Sequence, residues 1–372
     1  MTTDNRTPSR TLPEPFLAIS LDGEGAHPAA GGGAASAAAA RIQGRAGLAE
    51  SAGAAAIVVG DGPIDAAASA HPQRLSSTVL GSFLAPKLRR ASVVPQADAV
   101  FTEPFHLATQ LMTLDHIALG RSGWLVYGTG SKEEGSSVGR GAAEDLNREV
   151  TDAVEVVRRI WDTWEDDAVI RDVSTGRFID REKVHYADFV GENYSVKGPS
   201  ITPRSPQGQL PVFAPLALAG DPAAEPGTGR PELDGVVVRG ATIEETLAAA
   251  GRAREAGHRL VLAEAVLAAD HAGEPGAERW HRLEGEAAFE EDDVAVLAGA
   301  ADEAADALAE LARVSDGLLV RLAESDADLD EAAFSVIPKL RERVALAEPR
   351  PGSHLRDLLG LEHPESRFAA QG

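Results

Sequence analysis

At 372 residues, with 44% hydrophobic and 25% charged side chains, the chain is a globular sequence long enough for two ordinary domains or one large α/β barrel. Its net charge of −23 argues against nucleic acid and anionic membrane as partners, since both need a basic surface. It has no cysteine, which excludes disulfides, thiolate nucleophiles, Cys-ligated zinc and iron–sulfur clusters.

Residues 1–14 read as a flexible lead-in without the apolar stretch of a secretory leader. No apolar run reaches the roughly eighteen residues that span a bilayer, so a cytoplasmic protein is expected. The first strand signal, 16–21, ends in the polar turn Asp22 to Gly25. Residues 29–40 are a low-complexity Ala/Gly stretch, followed by a helix over 41–52 and a buried strand at 54–59 that ends in Gly60-Asp61-Gly62. A helix over 75–90 leads to a strand at 91–95. In the next block Pro104 suits a first helical turn, Thr102 is a candidate cap, and Leu107, Leu111 and Leu114 recur at helical spacing. Gly120 stops that helix and 124–127 form a fourth strand. A helix over 143–164 precedes a segment, about 165–210, that breaks the rhythm. Turn signals at 174–176 and 191–193 and candidate strands at 184–190 and 194–196 predict an insertion holding a small β-hairpin. Strands at 211–214, 235–238, 259–262 and 317–320 bring the count to eight. That number suits one domain over 15–372, a (β/α)8 TIM barrel with the hairpin between strands four and five, better than an open doubly wound sheet.

The block TEPFHLATQLMTLDHIALGRSGWLVY at 102–127 resembles the luciferase-like, flavin-dependent monooxygenases, in the branch of the nitrilotriacetate and dibenzothiophene-sulfone monooxygenases. WDTWEDDA, GRFID, GENYSVKGP and PRSPQGQ follow within 161–209 in the same order as in that branch. The resemblance implies the barrel fold, reduced FMN and O2 acting on a small organic substrate, a partner flavin reductase, and a homo-oligomer. An F420-dependent hydride-transfer enzyme is a variant on the same fold.

Ligands of such a barrel bind at the C-terminal ends of the strands. By resemblance Asp61 lies near the flavin ring, although an Asp between two glycines also suits a plain turn. Thr102 and Glu103 match the end of strand three, where a hydroxyl can bond the ring edge. Trp124 and Tyr127 lie on opposite faces of strand four, so one of them points inward. Gly128, Thr129 and the following residues offer backbone N–H groups to an anion, or form an ordinary Gly/Ser loop. Arg140 suits a phosphate clamp or a solvated surface position. His27, in a G-x-HP element, matches a position near the substrate mouth and is the candidate catalytic residue; a loop role is the alternative. No histidine spacing suits a metal. Three departures from the resembling family favour a second reading, a catalytically degenerate barrel acting as a structural partner subunit or binding protein. Leu125 stands where Asn is common, 213–220 lack a Gly/Ser-rich phosphate turn, and 29–40 lack bulky residues.

Overall fold

The computed structural model describes residues 11–31, 35–60 and 75–369. Eight parallel strands close into a barrel: β1 (Phe16–Ser20), β2 (Ala56–Gly60), β3 (Ser92–Asp98), β4 (Trp124–Tyr127), β5 (Val212–Pro215), β6 (Gly235–Val238), β7 (Leu260–Ala269) and β8 (Gly317–Leu322). Each pairs with its neighbour in sequence, and β8 returns to β1 through Phe16↔Gly317. Strands wrapped by helices are buried on both faces, which is why each reads as a short unbroken apolar run. β7 continues past the rim and pairs there with Val296–Gly299.

The principal helices are α1 (Ala35–Ala52), α2 (Ser77–Leu84), α3 (Pro104–Ala118), α4 (Lys132–Ser137), α5 (Leu146–Asp162), α6 (Ile243–Glu255), α7 (Gly276–Glu286) and α8 (Ala301–Val314). α1 begins earlier than expected because the alanine run that carries no hydrophobic period is itself a strong helix former. Glu103, not Thr102, caps α3, its carboxylate accepting from the amides of Phe105 and His106. α3 ends with Leu119 and Gly120 at φ 54° and 81°, the left-handed exit that glycine adopts without strain. Between β5 and β6 the connection carries a single 3-10 turn at Leu216–Leu218 in place of a full helix.

Between β4 and β5, Val169–Asp172 pairs antiparallel with Arg177–Ile179, and Phe189–Val190 with Ser195–Val196. The motifs of this region are structural ties. Buried Asp115 of α3 accepts from Ser122 Oγ at 2.8 Å and from Gln207 Nε2 at 2.7 Å, and Arg204 donates to Asp162 at 2.8 Å. Near the C-terminus, Leu355 enters the N-terminal end of the barrel and meets Phe16, Val94, Leu125 and Phe213 around a small, wholly apolar void. No helix among the described residues is long and apolar enough to cross a membrane.

Candidate functional site

Alternation along a strand fixes which side chains enter the barrel. Ala18, Val58, Val94, Leu125, Phe213, Val237, Leu262 and Leu319 line the apolar void. Two residues further toward the C-terminal end, the same face carries Ser20, Gly60, Gln96, Tyr127, Pro215, Arg239, Glu264 and Arg321, one position per strand. This ring forms the floor of the mouth. The five positions from β1 to β5 are uncharged at neutral pH, and the three from β6 to β8 carry ionisable side chains.

In the charged arc Arg321 donates to Glu291 Oε2 at 2.7 Å, to Glu264 Oε1 at 3.2 Å and to Asp22 Oδ2 at 3.3 Å. Arg239 reaches the same Glu291 Oε2 at 2.7 Å and Asp293 Oδ2 at 3.0 Å. Burial pushes the Glu264 carboxyl up despite the two arginines. Burial also works against the Glu291 charge, but Arg321 and Arg239 outweigh it and hold that carboxyl below its usual range. Removing such charges from water costs several kcal/mol each, so the network persists only because every cation has acceptors on more than one side.

In the uncharged arc Gln96 lies directly across the ladder from Leu125 and beside Gly60. Its side-chain amide is half-buried and has no hydrogen-bond partner among the described residues. Above it the chain folds over Asp98, which accepts from the amides of Phe101 and Thr102 at 2.7 Å and from the Thr102 hydroxyl at 3.2 Å. Burial raises the Asp98 carboxyl, with those bonds opposing. At the end of β4, Tyr127 donates to Glu134 Oε1 at 2.9 Å and Thr129 donates to Glu134 Oε2. Arg140 donates to Glu149 at 2.8 Å and to the Val100 carbonyl at 2.6 Å. A Cβ on Gly128 would meet Val100 at 2.7 Å, so the loop lies tightly against the β3 end.

The structure therefore gathers Thr102, Tyr127, Gly128, Thr129 and Arg140 around the ends of β3 and β4. It does not bring the other expected residues to them. Glu103 is exposed and committed to its helix cap. Trp124 faces outward into the helical layer, fully buried, with its indole N–H on the Ala97 carbonyl at 3.0 Å. His27 is also fully buried, stacked on Phe289 and edge-on to Trp280, with Nε2 at 3.3 Å from Glu284. Burial lowers its pKa, with the Glu284 bond opposing. It packs against the loop after α7 and has no solvent-exposed surface. Asp61 lies outside the described residues.

A flavin makes two different demands on these residues. The uncharged arc fits a flat ring with amide-like edges, because Gly60 and Pro215 present little side chain and Gln96 offers both a donating NH2 and an accepting carbonyl. The β4 rim does not fit a tightly held phosphate, because Glu134 and Glu149 already take its hydroxyls and its arginine. Gln96, Glu134 and the Arg321 network carry no motif. An amide or charge inside an apolar strand run, as in VVPQA, LAEAV and LLVRL, is the available signal.

The luciferase-like monooxygenase family matches residues 18–316. N-acetyl-S-(2-succino)cysteine monooxygenase of Bacillus subtilis (strain 168) is 36% identical over 159 residues, which cover 41% of this chain and 35% of that protein. Nitrilotriacetate monooxygenase component A of Aminobacter aminovorans is 36% identical over 149 residues, covering 39% and 33%. The matched part thus spans about a third of the length of these relatives. The structure of EDTA monooxygenase from Chelativorans sp. BNC1 superposes with a TM-score of 0.74 over 94% of this chain and 99% of that one at 19% identity, a likeness of fold. With a closed eight-stranded barrel and a family match over most of its length, the chain belongs to the luciferase-like monooxygenases.

Proposed function

We propose that this chain is a cytoplasmic flavin-dependent oxidoreductase, a monooxygenase that uses reduced FMN and O2 on a small organic substrate. Gln96 carries the reading. The resembling family often places an Asn at the position of Leu125, and Gln96 supplies an amide from the neighbouring strand at the same level. In this reading the amide orients the ring edge, Gly60 and Pro215 border its flat faces, and the apolar layer of Val94, Leu125 and Phe213 keeps water from beneath it. Bound reduced flavin supplies the electrons for oxygen chemistry. The acidic β4 rim holds the phosphate weakly, which suits a flavin that arrives from a partner reductase and leaves again. The nitrilotriacetate relative is by name one component of a larger system, which supports a separate reductase here. F420 presents a similar ring, and a coenzyme F420-dependent tetrahydromethanopterin reductase shares the fold at a TM-score of 0.59.

Anaerobic titration of the folded protein with reduced FMN, oxidised FMN and F420 tests this. Reduced FMN is expected to bind in the micromolar range, and Gln96→Leu to weaken it about threefold to tenfold, the worth of one neutral hydrogen bond. The charged arc and the acidic rim favour the second reading, a degenerate barrel serving as a partner subunit or binding protein. Failure of all three ligands to bind would establish it over the enzyme.

A further inference from the structure

We propose that Arg239 and Arg321 form a receptor for a small carboxylate-bearing molecule, and that Glu291 occupies it in the ligand-free protein. The two arginines flank β7 on the barrel wall, one just past the end of β6 and one within β8, and both donate to one oxygen, Glu291 Oε2, at 2.7 Å. Each is also held by a further acid: Arg321 Nε by Asp22, Arg321 Nη1 by Glu264 as well as by Glu291, and Arg239 Nε by Asp293. These acids hold both guanidinium groups, and Glu291 Oε2 is the acceptor that the two arginines share. Two guanidinium groups converging on one carboxylate oxygen hold it through charge-assisted hydrogen bonds.

Glu291 is not part of the wall. It belongs to the loop between α7 and Val296–Gly299, and its departure breaks no ladder bond. The stem of this loop is held separately, by Phe289 against His27 and by the Phe289 amide on Glu284 at 3.0 Å. A side-chain rotation is therefore enough to withdraw the carboxylate. Its side chain is 34% exposed, beside Arg239 at 33% and Arg321 at 16%, so the shared position lies at the solvent boundary where a ligand can reach it. The flanking acids limit the occupant to one that brings a single negative charge to this point. A carboxylate replaces Glu291 like for like; a phosphate dianion adds charge beside Asp22 and Asp293, and a neutral molecule leaves two cations short of an acceptor.

As an anion site this stands apart from flavin. As the substrate class of the proposed oxidoreductase, a small carboxylic acid, it rests on that proposal. Calorimetry with glutarate, without any flavin, reads the site alone. Wild type is expected to bind glutarate in the millimolar range, and Glu291→Ala to bind it about tenfold more tightly because the internal competitor is gone. Arg239→Gln, whose remaining partner Asp293 is largely exposed, is expected to lose binding in either background, and the neutral diamide glutaramide to bind none of the proteins. Equal affinity in wild type and Glu291→Ala, binding that survives Arg239→Gln, or equal binding of glutaramide would each overturn the proposal. If Glu291→Ala does not fold, loss of glutarate binding between wild type and Arg239→Gln decides it. Flavin titration of the same proteins fails or succeeds independently.

Discussion

Two arcs of one ring meet at the mouth of this barrel and follow opposite physical rules. From β1 to β5 the inward positions are small or neutral, and Gln96 faces the cup with no side-chain partner among the described residues. From β6 to β8 the corresponding positions are Arg239, Glu264 and Arg321, tied with Glu291 into one ion-pair network. The wall beneath is uniform and apolar. What differs is whether each arc was built to leave a hydrogen-bonding group over or to use every one. A leftover amide is an invitation to a neutral ring, while a closed ion-pair network binds a newcomer only by exchange.

Replacing Arg321 tests that contrast most severely. Arg321→Met leaves Asp22, Glu264 and Glu291 facing the mouth without their shared cation, and a cost of about 3–5 kcal/mol is expected in urea unfolding. A loss below about 1 kcal/mol would mean the charged arc is solvated like a surface pair, and the contrast would collapse. In the uncharged arc the vulnerable residue is Asp98. Asp98→Ala strips the amides of Phe101 and Thr102 of their acceptor, and about 1–3 kcal/mol is expected by the same measurement. An unchanged midpoint would show that the β3 loop finds other partners and that its geometry is not set from below.

The arcs also differ in how far the sequence reveals them. All eight strands lie where short apolar runs between turn signals place them, because burial on both faces writes itself into consecutive residues. Motifs around β3 and β4 bring five of the expected residues together at one rim. Yet their roles depend on partners that proximity in sequence does not disclose. Arg140 is claimed by Glu149 and His27 by Glu284, the latter 257 residues away. Trp124 departs from expectation for a simpler reason: one step of alternation separates the mouth from the helical layer. The charged arc has no motif at all. Its trace is a charge embedded in an apolar strand, Glu264 in LVLAEAVLAA and Arg321 in GLLVRL, which alternation from Leu262 and Leu319 places inside the barrel.

The smallest expected effect concerns the post that holds the Glu291 loop. Burial depresses the His27 pKa below 6.5, while Glu284, Glu324 and Glu286 act in the opposite direction. In the unfolded chain this imidazole binds a proton at about 6.5, and in the folded chain only at lower pH. Below about 6.5 the unfolded state therefore carries more protons. The stability contributed by the neutral ring is fully present above that value and drains away as pH falls toward the folded pKa. Because His27 stacks on Phe289, the loss should concentrate in residues 284–291. Hydrogen exchange at about pH 7.5 and 5.5, corrected for the intrinsic rate, is expected to show those amides losing protection while the β3 amides keep theirs. Substituting His27→Gln should remove the pH dependence without removing the loop. Equal loss in β3, or a dependence that survives in His27→Gln, would assign the acid sensitivity to the carboxylates of the charged arc instead, and the two arcs would then be coupled through Arg321 rather than separable.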